Sequence, residues 1–369
     1  MRHLDIPRRQ DRGQEIVLED PHAVAPAADI ARLRLRIQQL RLAGPKFATP
    51  EEVVGWLGAV QSQEYGLARW SVGQRLGAGA TDSVVEAALA AGAILRTHIL
   101  RPTWHFVLPR DIPPWMRLTS VRWSPMLARR HGQLGLDAKQ VARALDAIAA
   151  ALTRGKQLTR PELGAAISRA GVAVDGQRLA FIVMAAETSL LVASGAAQTY
   201  KLLPPNPAPF DRDRALADLT LRYFTSHGPA TVRDFTWWSS LTVADARLGL
   251  AANPALEKLT VDGTDYYWAG DSTGGPDDPS PTAHILQGFD EYIVGYASPR
   301  TPINLASHGP HTVLNTPSWL NAFVIDGQLA GWWRRVSGGV ETRPLRTLSR
   351  PEQSALDAAI HRYLAFVGS

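Results

Sequence analysis

Two glutamines flank one serine in Gln61-Ser62-Gln63, at the point where a predicted helix ends. A carboxamide is neither a strong acid nor a strong base, and it is a poor nucleophile. Two explanations of the spacing are therefore open. Either two polar residues merely decorate a helix end, which is the commoner case, or the pair has an unusual catalytic use.

The position at which the preceding helix ends decides whether the two glutamines can act together. Its apolar positions, at i, i+4 and i+7, are Val53, Leu57 and Val60. If the helix continued, residues 61 and 63 would lie about 200° apart around its axis. In an extended segment, residues i and i+2 face the same side. We therefore expect the helix to stop near Val60, and Gly66 favours a stop or turn just beyond the pair.

One local pattern, a helix that ends near a glycine followed by a capping box, occurs three times. The boxes are TPEE (residues 49–52), TRPE (159–162) and TVRD (231–234). A third short helix and two β-rich runs typical of a hairpin follow each box, the runs covering residues 94–108, 190–203 and 256–270. Helix, helix, helix, hairpin is the winged-helix arrangement. The sequence therefore predicts an α+β fold of three tandem winged-helix units.

The rest of the chain has a different pattern. Asp326-Gly327 joins two apolar runs in a predicted type I′ hairpin, and a helix is predicted over residues 350–367. PPNPAPFD and GDSTGGPDDPSPT have the composition of loops. We predict an N-terminal arm (1–29), a first winged-helix unit with the glutamine pair (30–130), a second (131–204), a third (210–270), and a small C-terminal β-rich domain with a terminal helix (282–369).

Composition narrows the class of protein. The 369 residues carry a net charge of +5, and only five of the 39 basic residues are lysine. Arginine suits bidentate contacts to phosphate. A GC-rich genome would explain the arginine excess but not the net positive charge, so we expect a nucleic-acid partner. There is no cysteine, which excludes disulfides and thiolate zinc sites, and no long apolar segment, so we expect a cytoplasmic, nucleoid-associated protein.

The first predicted hairpin carries the residues that could contact DNA. Thr103 and His105 share one face of its second strand, and Arg96 and His98 share a face of its first. In the DNA-binding interpretation, Arg96, His98, Arg101 and His105 point towards phosphates and Thr103 lies beside them. In the alternative, one face is core and the other is merely solvated, and for His105 this is at least as good. No metal-ligand spacing or cofactor motif occurs, so neither is expected.

Two other features have weaker implications. Asp290 and Glu291 are adjacent in FDEY, and neighbouring carboxylates in a strand point apart, so a structural role is favoured over acid–base catalysis. The 11 tryptophans, which include Trp237 and Trp238, could stack on bases, although most are expected in the core.

Several runs resemble a known family. RLAGPKFATPEEVVGWLGAVQSQEYGLARW and LRTHILRPTWHFVLPRDI are similar to the AlkZ-like DNA glycosylases, and YFTSHGPATVRDFTWW and FDEYIVGY resemble later segments of that family. The resemblance covers the chain from about residue 30. It implies tandem winged helices, excision of alkylated purines and unhooking of interstrand crosslinks. The family signature is glutamine, any residue, then glutamine or aspartate, and Gln61 and Gln63 match both catalytic positions.

The resemblance also implies a chemistry that suits weak groups. Alkylation at guanine N7 or adenine N3 makes the base cationic, so it leaves without protonation, and the enzyme has only to stabilise the sugar cation and aim one water. The double-glutamine form is associated with self-resistance to DNA-alkylating natural products. One departure is Arg101-Pro102-Thr103, where the family usually has Arg-Gly-Thr, which bears on the local loop geometry.

Three functional hypotheses follow. The first is a monofunctional glycosylase, monomeric and acting on double-stranded DNA, without a lyase step because the nearest lysine in sequence is Lys46. The second is a winged-helix DNA-binding protein or regulator without catalysis. The third is a protein that sequesters the free alkylating toxin. Release of free base from adducted duplex would separate them.

Overall fold

Helices and strands follow one another in groups similar to those predicted from the capping boxes. The computed structural model describes residues 27–44, 46–205, 209–270, 278, 280–297, 300–306 and 321–368. The first group comprises α1 (Ala27–Ile37), α2 (Pro50–Leu57), β1 (Ala59–Gln61), α3 (Tyr65–Gly73), α4 (Asp82–Ala91), β2 (Leu95–Ile99) and β3 (Thr103–Val107). Helices α5 (Ile112–Thr119) and α6 (Ser124–Gln133) follow it.

The second and third groups have the predicted order of three helices and a hairpin. The second comprises α7 (Ala138–Ala151), α8 (Arg160–Arg169), α9 (Arg178–Thr188), β4 (Val192–Ser194) and β5 (Tyr200–Leu202). The third comprises α10 (Arg212–His227), α11 (Val232–Ser239), α12 (Val243–Ala251), β6 (Glu257–Val261) and β7 (Thr264–Trp268). The first group has one helix and one strand more than this order, and the added strand, β1, carries Gln61.

All three predicted capping boxes are present. Thr49, Thr159 and Thr231 each accept a hydrogen bond from the backbone N–H three residues later, and the acid at that position reaches back to the cap. Such a cap stabilises a helix by about 1 kcal/mol. These local bonds set where α2, α8 and α11 begin.

The C-terminal region contains β8 (Ala283–Leu286), α13 (Glu291–Val294), β9 (Asn321–Ile325), β10 (Gln328–Val336), β11 (Gly339–Pro344) and α14 (Arg350–Val367). Asp326 and Gly327 both have positive φ, 48° and 78°, as the predicted type I′ turn requires. The four strands form an antiparallel sheet in the order β11-β10-β9-β8. The predicted α+β class, with a β-rich C-terminal region closed by a helix, is confirmed.

The first two hairpins are joined in one sheet. Its order is β1-β3-β2-β4-β5, and Arg96 of β2 pairs with Ser194 of β4. Neither side of the first hairpin is therefore a free edge, because β1 covers one side and β4 the other. Strands β6 and β7 form a separate two-stranded sheet.

Packing crosses the predicted domain boundaries, which stay a prediction. Trp70 of α3 lies 5.4 Å from the ring of Tyr363 and 5.3 Å from that of Phe366, both on α14, so the first group and the terminal helix share a core. Residues 1–26 of the predicted arm lie outside the described residues, and its last three residues begin α1. In the described ranges, no helix is long and apolar enough to cross a membrane.

Candidate active site

Gly58 ends the helix that precedes the glutamine pair. Helix α2 stops at Leu57, and Gly58 has a φ of 79°, which is costly for any residue with a Cβ. A Cβ there would also lie 3.1 Å from Arg222 Cγ and 3.2 Å from Trp115 Cη2. The next residues form β1, which is extended and pairs with β3. The predicted stop before the pair is confirmed, three residues earlier than expected.

Hydrogen bonds occupy the backbone N–H, the backbone oxygen and the side-chain oxygen of Gln61. Its backbone N–H donates to Glu291 Oε1 at 2.8 Å, and its backbone oxygen accepts from Gln287 Nε2 at 3.0 Å. Its side-chain oxygen accepts from Arg101 Nη2 at 2.8 Å. Gln61 is 5% exposed, whereas Gln63 is exposed. The pair therefore combines one immobilised carboxamide with one that is open to a ligand.

The carboxylate of Glu291, which accepts from the Gln61 backbone, is fully buried. Glu291, the first residue of α13, also accepts from Trp238 Nε1 at 3.0 Å and from His227 Nε2 at 3.3 Å. Burial alone would raise the pKa of Glu291, but the hydrogen bond from His227, and then the charge of Arg101, lower it. Burial lowers the pKa of His227. Glu291 is therefore an ionised acceptor whose oxygens are both occupied.

Arg101 connects Gln61 to α13 and α11. Its Nη1 donates to the backbone oxygen of Val294 at 3.1 Å, while its Nη2 holds Gln61. Its guanidinium carbon lies 5.5 Å from the centre of the Trp237 ring. The turn before it contains Leu100 at a φ of 62°. Although position 102 is proline rather than the glycine usual in the family, this turn places Arg101 against Gln61.

His105 is a neutral acceptor on the same side of the sheet as Gln61. It lies opposite Gln61 in the β1–β3 pairing, and directly paired residues of antiparallel strands share a face. Its Nδ1 donates to the backbone oxygen of Thr103 at 2.9 Å, which leaves Nε2 with a lone pair. Burial, and next the charge of Arg101, lowers the pKa of His105 to about 3.

Several polar atoms around Gln61 have no protein partner among the residues that the structure describes. They are His105 Nε2, Thr103 Oγ1, Arg101 Nε and Gln287 Oε1. A buried polar atom without a partner costs about 1–3 kcal/mol, so such a group of atoms is unusual unless water or a ligand completes it. The cluster is therefore suited to bind a polar reactant beside Gln61.

The predicted phosphate contact of Arg96 stays a prediction, and the structure gives this side chain protein partners. Arg96 is 3% exposed, donates through Nε and Nη2 to the backbone oxygen of Ser62 at 3.1 Å, and lies 4.2 Å over the Trp104 ring. It pairs with Phe106, and so it faces away from His105. Its guanidinium therefore supports the backbone of Ser62, the residue between the two glutamines.

The predicted DNA contacts of His98 and His105 also stay predictions. His98 is 6% exposed, its Nδ1 is hydrogen-bonded to the carboxylate of Glu187 on α9, and its ring centre lies 4.3 Å from that of Trp104 in a tilted arrangement. His105 is 0% exposed. The sequence interpretation treated the hairpin as a free wing, whereas the structure places β1 and β4 on its two sides and Glu187 of α9 against His98. Arg101 and Thr103 are partly exposed, and their contact with DNA stays a prediction.

A separate cleft lies away from the glutamine pair. It encloses about 1080 Å³, and its lining includes Lys46, Trp56, Arg110, Asp218 and Arg222 but neither glutamine. Its polar lining mixes both charges and has no orphaned acceptor. In the described ranges, no three histidines or carboxylates lie close enough to hold a metal ion.

Comparison with known proteins decides between the three hypotheses. A family model described as DNA glycosylase AlkZ-like matches residues 54–366. The chain belongs to the AlkZ-like DNA glycosylase family. The structure is similar to that of Streptomyces sahachiroi DNA glycosylase AlkZ, with a TM-score of 0.76 and 21% sequence identity over 94% of this chain and 98% of that chain. Comparison with curated proteins found no match.

As an AlkZ-like protein, this chain is a DNA glycosylase and DNA is its substrate. The sequence motif and the orphaned polar atoms coincide at Gln61, which makes this cluster the candidate active site. The catalytic roles of Gln61 and Gln63 stay predictions. Sequence reasoning missed Glu291 and Gln287 as partners of Gln61, and the only signal was the resemblance of FDEYIVGY to an AlkZ-like segment.

Proposed function

We propose that this protein is a monofunctional glycosylase that hydrolyses the N-glycosidic bond of bulky cationic alkylpurines, either N7-alkylguanine adducts or interstrand crosslinks. The proposed role is repair of, or self-resistance to, DNA-alkylating natural products. One observation supports it most. Glu291, a carboxylate that touches Gln61, has both oxygens occupied by donors and is buried, so it cannot protonate a departing purine.

A cationic purine needs no such acid. When its N-glycosidic bond breaks, the base takes the bonding pair and leaves neutral, and the positive charge moves to the sugar. A neutral purine would have to leave as an anion or be protonated, so it is spared. Among the described residues that hydrogen-bond to Gln61, none is an available acid, and we propose that this selects damaged bases.

The acceptors at the site could hold the water that completes the reaction. His105 Nε2 is an unprotonated acceptor on the Gln61 side of the sheet, and Gln63 offers a mobile carboxamide oxygen. In the proposed step the water oxygen bonds to C1′ as the base departs, and the water loses its proton to a nearby acceptor or to solvent. Arg101 orients the Gln61 amide, because it occupies one lone pair of its oxygen and leaves the other free.

A lyase step is not part of the proposal. Lys46 lines the separate cleft described above, where its Nζ donates to the backbone oxygen of Gln74 at 2.6 Å. Burial, and next the charge of Arg362, lowers the pKa of Lys46 to about 8. Since this amine is already bonded away from Gln61, the expected product is an intact strand with an abasic site. We also propose that the enzyme acts as a monomer in the cytoplasm, associated with the nucleoid.

Incubation of purified protein with duplex DNA that contains one N7-alkylguanine tests the proposal. We expect free alkylguanine, detected by mass spectrometry, and an intact strand until alkali cleaves the abasic site. Strand cleavage before alkali would indicate a lyase. Binding of the duplex without base release would favour the regulator, and binding of free alkylating agent without DNA binding would favour the toxin-sequestering protein.

A further inference from the structure

Trp237, on α11, is an exposed indole close to the candidate active site. Its side of the helix is not covered by the core, and the residue is 45% exposed, whereas its neighbour Trp238 is 0% exposed. Burying the free face of an indole is favourable because a large apolar area leaves water. The exposed face of Trp237 is therefore available to an apolar ligand group at the candidate site.

The indole is held in one orientation. Its Nε1 donates to the backbone oxygen of Val294 at 3.1 Å, which is the same oxygen that accepts from Arg101. The Arg101 guanidinium lies 5.5 Å from the ring centre, within the range of a cation–π contact. Trp237 is therefore a fixed flat surface rather than a mobile side chain.

The fixed surface is within reach of the reaction centre. Arg101 bonds the Gln61 side-chain oxygen at 2.8 Å, which places the indole centre at most about 10 Å from that oxygen. A purine bound at Gln61 with a substituent on its ring nitrogen would bring the substituent to this distance. A small methyl group would not span it.

We propose that Trp237 is the binding surface for a planar apolar substituent carried by the alkylated purine. The inference rests on the proposed function, and it names the substrate class that the site prefers. The aromatic group stacks on the free face of the indole while Gln61 holds the reacting nucleotide. In this proposal Trp237, which lies outside the glutamine pair, determines the preference for bulky over small adducts.

A base of the duplex is the competing occupant of the indole face. A residue that wedges between base pairs has to protrude from the surface and enter the stack. Trp237 does not fit this role well, since more than half of it is covered and its ring nitrogen is bonded to the protein. A fixed indole near the glutamine pair suits a substituent that the bound purine carries to it.

Two duplexes that differ only in the adduct provide the test. One carries N7-methylguanine and the other N7-(naphthylmethyl)guanine, both on 2′-fluorinated sugars that slow base loss. The measured quantity is the ratio of their dissociation constants, for the wild type and for Trp237→Ala, Trp237→Phe and the control Leu248→Ala. Leu248 is also exposed, at 59%, but lies on α12.

We expect Trp237→Ala to reduce the preference for the naphthylmethyl duplex about tenfold, because an aromatic pair adds about 1 kcal/mol or more to area burial. Trp237→Phe should keep most of the preference, and Leu248→Ala should keep all of it. An effect that Trp237 exerts only by supporting Arg101 would change both constants together and leave the ratio unaltered. An unaltered ratio in Trp237→Ala, or an equal loss in Leu248→Ala, overturns the inference.

The same variants on ordinary deoxyribose duplexes separate this inference from the proposed function. If the wild type binds with the expected ratio but releases no base from either duplex, the glycosylase substrate assignment fails while the binding surface stands. If the wild type releases both bases and the ratio of dissociation constants is the same in Trp237→Ala, the assignment stands and the binding surface is wrong.

Discussion

The carboxylate of Glu291 accepts a 2.8 Å hydrogen bond from the backbone N–H of Gln61, a residue 230 positions earlier in the sequence. The bond holds the backbone at the end of β1, while Arg101 holds the side chain of Gln61. A fully buried carboxylate with three donors is costly to replace, since any substitute leaves donors without an acceptor. These contacts indicate that Glu291 positions the strand that carries Gln61.

The first prediction concerns this bond. In Glu291→Gln, an amide N–H replaces one acceptor and faces a donor, so the free energy of unfolding should fall by about 1–3 kcal/mol. Base release in single-turnover assays should slow more than DNA binding weakens, because Gln61 loses its backbone support. Urea denaturation and excision kinetics measure the two effects. Glu257→Gln, on an exposed strand position, is the matched control and should change neither. A wild-type excision rate in folded Glu291→Gln would contradict the positioning role.

The second prediction concerns the glutamines themselves. Gln61→Ala and Gln63→Ala should each slow base release about 10²–10³-fold, because one positioned polar group is lost from the transition state. DNA affinity should stay within a few-fold of wild type. The double variant should lose less than the product of the two single losses, since two groups that hold one water act as a unit. Ser62→Ala is the control and should affect the rate much less, because its buried side chain faces away from the pair in an extended segment. If both alanine variants excise N7-alkylguanine at the wild-type rate, the catalytic centre lies elsewhere.

The third prediction follows from the pKa of His105, which burial lowers to about 3. The unfolded chain binds a proton at this residue below about pH 6.5, whereas the folded protein does not, so stability falls as pH decreases through that value. Between pH 7.5 and 5.5 one such histidine should cost roughly 1.4 kcal/mol. Urea unfolding of wild type and His105→Gln at both pH values measures it, and the variant should show a smaller decrease by about that amount. An equal decrease in both proteins would mean that His105 titrates normally in the fold.

The fourth prediction concerns salt dependence and tests the phosphate contact of Arg96. Affinity for duplex DNA should fall steeply with salt, with a similar slope for damaged and undamaged duplex, because arginine–phosphate contacts release counterions. Arg96 is buried against Ser62 and Trp104 and should contribute nothing to that slope. Arg96→Gln should therefore leave the slope unchanged in the folded variant. A slope smaller by about 0.9 would reinstate a phosphate contact at this position.

Local chemistry made much of the fold predictable. The threonine capping boxes, and the turns at Asp262-Gly263 and Asp326-Gly327, depend on residues within four positions of one another, and all are found. The pairing of Arg96 with Ser194 is different, because it depends on how two groups pack. Nothing in either strand alone specifies it. The burial of Arg96, His98 and His105 could not be read from the sequence for the same reason.

The candidate site likewise contains residues that local signals locate and residues that only packing brings together. The glutamine pair and the approximate end of its helix could be located from the sequence, because the apolar spacing is a local signal, although the helix ends at Gly58 rather than near Val60. Glu291, Gln287 and Trp237 could not be assigned to the site, since they reach it only when α11 and α13 pack beside β1. The adjacent acids Asp290 and Glu291 are both buried, and the sequence does not indicate which donors each carboxylate accepts from.

The dependence of Gln61 on residues 287 and 291 has a consequence for synthesis of the protein. A ribosome that has completed the third hairpin, at Trp268, has made every predicted winged-helix unit but neither partner of the Gln61 backbone. Both partners lie in the last quarter of the chain, so a chain that stops before residue 287 lacks the hydrogen bonds that hold Gln61 in place. We therefore expect base release to be acquired only when translation is nearly complete.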